Sequence, residues 1–88
     1  MAYQLLYSRQ SEKYLSRLTP SKANRVLKRI ESLAKDPHKT DNNILKLTGT
    51  TSSFRFRIGD IRIIYYLDEE KKWIIVSKIA PRGSAYLF

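Results

Sequence analysis

Apolar residues recur at more than one period along the chain, and each change of period marks an element. Tyr3, Leu5 and Tyr7 fall at every second position, which predicts a short strand with those three side chains on one side. From about Gln10 the period lengthens, and Tyr14, Leu15 and Leu18 form a helical stripe too short to stand alone. Thr19-Pro20 reads as an N-cap followed by proline at the first helical position, where a missing N–H costs nothing. Ala23, Val26, Leu27, Ile30, Leu33 and Ala34 then follow the i, i+3, i+4, i+7 pattern of an amphipathic helix. Pro37 stops that helix near Lys35 or Asp36.

The stretch from His38 to Ser53 is polar and reads as a loop around a short apolar piece, Ile44-Leu45-Lys46-Leu47. Three strands are expected after it: Phe54 to Ile58, Ile61 to Leu67, and Trp73 to Ile79. The predicted class is α+β, with two N-terminal helices packed on one face of a small, mostly antiparallel β-sheet in the order β-α-α-β-β-β.

Gly59-Asp60 joins the first two of these strands as a two-residue loop with glycine first, a type II′ signature. That loop sets Ile58 opposite Ile61, Arg57 opposite Arg62, Phe56 opposite Ile63 and Arg55 opposite Ile64. One face is then Phe54, Phe56, Ile58, Ile61, Ile63 and Tyr65, and should receive the helices. The other gathers Arg55, Arg57 and Arg62, with Ile64 and Tyr66 beside them. Like charges directly across an antiparallel pair destabilise it by some tenths of a kcal/mol, up to about 1. A phosphate would reconcile them, because guanidinium forks match its oxygens in bidentate geometry. The competing reading is a solvated basic face whose side chains splay apart or pair with Glu12 or Glu31.

Composition sharpens this picture. The 88 residues suit one domain spanning 1–88. Seventeen Lys and Arg against eight Asp and Glu give a net charge of +9 and a pI near 10.0, which points to a polyanionic or acidic partner. No apolar run approaches the roughly 20 residues that span a bilayer, and MAYQLLYSRQ lacks a basic region followed by an apolar one, so a cytoplasmic location away from membranes is expected. The absence of cysteine removes disulfides, thiolate catalysis and zinc knuckles. His38 is the only histidine, so no multi-histidine metal site forms within one chain, and neither metal nor organic cofactor is expected.

Further candidates lie outside the hairpin. Arg82 and Tyr86 form a second group, in which the ring either stacks on an unpaired base or ties the tail to the sheet. Lys46, between Leu45 and Leu47, is either a plain surface lysine or a further phosphate contact. His38 follows the helix-ending Pro37, where an imidazole meets the C-terminal end of the helix dipole. Trp73 and Tyr3 read as core residues.

These pieces, in this order, resemble the RelE/ParE toxin superfamily. Leu45-Lys46-Leu47-Thr48-Gly49 is similar to its K-L-x-G element. Phe54-Arg55-Phe56-Arg57-Ile58-Gly59-Asp60-Ile61-Arg62-Ile63-Ile64-Tyr65 is similar to its Y-R-x-R-x-G-D-Y-R-x-x-Y signature, and Arg82-Gly83-Ser84-Ala85-Tyr86 to its R-x-x-x-Y tail. The resemblance implies the toxin of a type II toxin–antitoxin pair, in the RelE branch a ribosome-dependent endonuclease that cuts mRNA and stops translation. Matching positions make Arg62, Arg82 and Tyr86 the catalytic set and Lys46, Arg55 and Arg57 the residues that hold the RNA backbone. It implies an acidic antitoxin as partner, a monomer when free and a hetero-oligomer when bound. The ParE branch shares the G-D-x-R hairpin, and implies instead a DNA gyrase inhibitor without nuclease chemistry. Two departures bear on mechanism: Arg55 stands where a relative's lysine can accept a proton, and Pro81 precedes Arg82. An arginine has too high a pKa to serve as a base near neutrality.

Overall fold

The computed structural model describes residues 3–38, 42–47 and 53–81. Its elements run β1 (Gln4–Tyr7), α1 (Arg9–Ser16), α2 (Pro20–Lys35), β2 (Ile44–Lys46), β3 (Ser53–Ile58), β4 (Ile61–Asp68) and β5 (Trp73–Pro81). The strands form one sheet in the order β1-β5-β4-β3-β2. β1 runs parallel to β5 and every other pair is antiparallel. The α+β arrangement expected from the sequence is present, with one strand more: the apolar piece read as part of a loop is edge strand β2, paired with β3 from Ile44↔Phe56 to Lys46↔Phe54.

Both helices begin where the capping residues require. Ser8 accepts from the Ser11 N–H at 3.1 Å, and Thr19 accepts from the Lys22 N–H at 3.3 Å ahead of Pro20. α2 lays Val26, Ile30 and Leu33 on the sheet, where they are buried against Phe56, Ile58, Ile61, Ile63, Tyr65, Leu67, Ile74, Val76 and Ile79. Tyr3, Leu5 and Tyr7 pack at the rim of this cluster, as their alternation predicts. Phe54 stacks on Tyr65 with centroids 5.3 Å apart. Trp73 departs from expectation: it pairs with Asp68 on the helix-free face, with the Lys71 ammonium 4.6 Å from its ring.

β5 holds a bulge. Ile64 pairs with Lys78 and Tyr65 with Val76, so Ser77 is an extra residue whose hydroxyl donates to the Ile64 carbonyl at 3.1 Å. The extra residue reverses the alternation, burying Ile79 and sending Lys78 to the other face. Beyond the end of β1, the Gln10 amide substitutes for a neighbouring strand. It donates to the Ile79 carbonyl at 2.7 Å and accepts from the Ile79 N–H at 3.0 Å.

The rim of the sheet carries a polar clamp. Tyr3 donates through its hydroxyl to Glu69 at 2.5 Å, His38 Nε2 lies 3.0 Å from the other Glu69 oxygen, and the Tyr3 N–H donates to Ala34. His38 therefore finds a carboxylate in the β4–β5 turn. The Tyr3 hydrogen bond, then the nearby His38 and Lys72, holds the Glu69 carboxyl below the ordinary range. A carboxyl lowered by folding contributes stability above its unfolded pKa, and the contribution fades as pH falls through the folded value. Glu69→Gln is accordingly expected to lower the melting temperature slightly at pH 7. The gap to wild type should close below about pH 4, the ordinary carboxylate range. A gap that widened on acidification would contradict the assignment.

Candidate nucleic-acid interface

The hairpin register is the one the glycine-first loop predicts: Arg55↔Ile64, Phe56↔Ile63, Arg57↔Arg62 and Ile58↔Ile61. Gly59 has φ +59° and Asp60 does not share its sign, as a type II′ turn requires. The Arg57 N–H donates to the Asn43 carbonyl on the β2 side at 2.8 Å, away from β4. Arg57 and Arg62 therefore form a non-hydrogen-bonded pair, the kind in which side chains stand closest, with Cα atoms about 4.5 Å apart.

Side chains on the helix-free face line up in rows across the sheet. The row nearest the turn is Arg57, Arg62 and Ala80; the next is Leu45, Arg55, Ile64 and Lys78; the third is Ser53, Tyr66, Ile75 and Leu6. Asp68, Trp73 and Gln4 form the fourth. Arg55, Arg57 and Arg62 line one cleft of about 210 Å³ with Asn42, Asn43, Ile44 and Leu45. Asn43 accepts a long hydrogen bond from Arg57 Nη2 at 3.4 Å. Arg62 is half-buried, with its Nε fully enclosed.

Asp60, the acid nearest the cluster in sequence, turns to the other side and pairs with Lys22 of α2 at 3.4 Å. Between described residues the ion pairs are Lys22–Asp60 and His38–Glu69, so Glu12 and Glu31 do not neutralise the arginine face. Tyr7 and Tyr14 have pKa values raised chiefly by burial, and Tyr3 chiefly by its bond to Glu69. Each is shifted away from use as a base near neutrality.

Of the residues singled out in the sequence, Arg55, Arg57 and Arg62 are brought together. Lys46 is not: it pairs with Phe54 and so shares the register of the helix-bearing face. A three-residue edge strand is too short for its alternation to reveal its phase. Arg82 and Tyr86 lie outside the described residues. Asn42, Asn43 and Lys78 belong to this surface without having been picked out. Lys78 had a signal, since the buried positions Ile74, Val76 and Ile79 break period two at Ser77.

Among the described residues no helix is long and apolar enough to cross a membrane. The sequence profile of the ParE toxin of type II toxin–antitoxin systems matches residues 5–86. A Methanocaldococcus jannaschii protein carrying the name toxin RelE1 is 35% identical over 75 residues, covering 84% of this chain and 83% of its own. In the archaeal RelE–RelB complex from Pyrococcus horikoshii, a chain superposes with a TM-score of 0.82 at 31% identity, covering 96% of this chain and 99% of its own. The isolated Escherichia coli RelE toxin shares the fold, with a TM-score of 0.77 at 20% identity over 98% of this chain and 93% of its own. The profile match across nearly the whole length and the similarity to RelE proteins agree with the hairpin signature, and the chain belongs to the RelE/ParE superfamily of type II toxin–antitoxin toxins.

Proposed function

We propose that this toxin is a ribosome-dependent mRNA endonuclease that cuts by internal transesterification. The observation that carries the reading is the directly opposed Arg57–Arg62 pair, with Arg55 in the same cleft. Opposed guanidinium groups are unfavourable for the sheet and favourable for a phosphate. In the proposed step the RNA's 2′-hydroxyl oxygen bonds to the adjacent phosphorus and the P–O5′ bond breaks. The products are a cyclic phosphate and a free 5′-hydroxyl, with the 2′-hydroxyl proton lost to a base and a proton returned to the leaving oxygen. Arg62 stabilises the charge that accumulates on the phosphorane-like transition state, Arg55 and Arg57 hold the backbone, and Arg82 and Tyr86 complete the set from the C-terminal segment. A guanidinium cannot take the 2′-hydroxyl proton, so the described arginines act by positioning and electrostatics. By analogy with the RelE–RelB complexes among its structural relatives, its partner is an antitoxin, here an acidic one that covers the basic face.

Primer extension on a message translated in vitro tests the reading. Stops within codons at the ribosomal A site are expected only when toxin is present. An intact message with active toxin would sink it. The match to the ParE profile gives the gyrase-inhibitor reading specific support, and a supercoiling assay with purified gyrase distinguishes the two.

A further inference from the structure

Tyr66 stands on the same face as the arginine cleft but does not line it. It is 41% exposed, while its strand neighbours Tyr65 and Leu67 are 1% and 4% exposed. Alternation explains why position 66 points away from the helices, but not why an aromatic stands there. Its ring rises from a floor of Ile64, Ile75 and Leu6 on the same face, and directly across β3 stands the small Ser53. Its hydroxyl makes no hydrogen bond among the described residues.

The surroundings of this ring select its occupant. Arg55 lies diagonally from Tyr66, one row nearer the turn, at about 7–8 Å. Successive rows are about 7 Å apart, two residues along a strand, comparable to one nucleotide of an extended single strand. The charge along the face is graded. Two rows carry cations, the Tyr66 row is uncharged, and the row beyond it pairs Asp68, whose carboxylate caps the Lys71 N–H at 3.0 Å, with Trp73, whose ring has the Lys71 ammonium 4.6 Å from its centroid. A strand whose phosphates sit over the arginine rows thus finds no cation in the third row, where a neutral ring surface suits a base rather than a phosphate.

We propose that Tyr66 is the stacking platform for a nucleobase of the single-stranded RNA whose phosphates the arginine rows hold. This rests on the RNA-binding reading of the same face. Every base offers a π-face, so the contact adds affinity without sequence readout by hydrogen bonds, and stacking of this kind contributes about 5- to 150-fold in affinity.

The test uses two fluorescein-labelled probes read by anisotropy at low salt: an eight-nucleotide 2′-O-methyl oligoadenylate, which resists cleavage, and an abasic ribose-phosphate oligomer of equal length. Tyr66→Ala is expected to weaken binding of the oligoadenylate by about 5- to 150-fold and to leave the abasic probe bound as by wild type, which also shows the variant is folded. Tyr66→Phe, which keeps the ring, should restore oligoadenylate affinity. Equal oligoadenylate affinity for wild type and Tyr66→Ala would overturn the proposal. So would loss of binding only to an acidic peptide partner, since the ring would then serve a protein. The underlying reading fails separately: Arg57→Gln and Arg62→Gln should weaken both probes, and if neither probe responds, the face does not hold RNA phosphates.

Discussion

Replacing Arg62 with glutamine is expected to cut cleavage on the ribosome by about a hundredfold or more, while Arg57→Gln leaves the fold as stable as before or more so. The two results come from one geometry. Arg57 and Arg62 face each other across a non-hydrogen-bonded pair at the end of a tight hairpin, and Asp60 is drawn to the far side by Lys22. Removing one preorganised donor that meets developing transition-state charge costs about 10²–10³ in rate. Removing one of two opposed cations relieves some tenths of a kcal/mol. In a domain of this size that raises the melting temperature by roughly 1–4 °C. Arg57 is the better residue for the stability measurement, because it is exposed and, among the described residues, its side chain is held by the 3.4 Å bond to Asn43 alone. Arg62 is the better one for chemistry, being half-buried in the cleft floor. The stability gain should shrink with added salt, as an interaction between charges at the surface must. A fall of several degrees for Arg57→Gln at low salt would mean that its guanidinium serves the fold and that the opposed pair is no sign of a phosphate site.

The opposed pair was legible in the sequence because two independent signals fix the hairpin. A glycine at the first loop position sets the turn, and six alternating residues on each side set the faces, so a slip of one residue would turn one strand's apolar set outward, exposing either Phe56 or Ile63. Where only one weak signal exists the reading fails. Ile44-Leu45-Lys46 offers three residues and no turn of defined type, and its pairing comes from β3, which put Lys46 on the wrong side of expectation. The bulge at Ser77 was written in the spacing of Ile74, Val76 and Ile79, but a three-residue gap in a run so rich in apolar residues is easily taken for continued alternation. The role of Gln10 had no signal at all. It exists only because β5 outlasts β1 and leaves the Ile79 backbone in need of partners, which is a property of two strand lengths rather than of a motif. The same holds for the Tyr3–Glu69–His38 clamp, whose members come from three distant parts of the chain.

Phe56→Ala is expected to unfold most of the protein under conditions where Phe56→Leu remains folded. Phe56 is 0% exposed, sits on β3 between Arg55 and Arg57, pairs with Ile63, and has the Arg29 guanidinium 5.4 Å from its ring centroid. Truncating a buried phenylalanine costs about 3–5 kcal/mol in lost transfer energy and residual cavity. A domain of 88 residues, at about 0.05–0.15 kcal/mol per residue, holds roughly 4–13 kcal/mol in all. The loss is therefore a large fraction of the total, whereas leucine keeps most of the volume and loses chiefly the ring's contact with Arg29. Urea denaturation followed by circular dichroism reads the difference as a lower midpoint at unchanged slope. The consequence reaches the opposite face: the side chain that anchors β3 to the core lies between the two arginines that β3 contributes to the cleft, so positioning of Arg55 and Arg57 depends on it. Phe56→Leu should accordingly keep phosphate binding, while Phe56→Ala should lose it with the fold and regain it when a stabilising osmolyte restores the native state. A stability loss below about 1 kcal/mol for Phe56→Ala would show that β3 is held from elsewhere, and that the arginine face does not draw its rigidity from the helix-covered core.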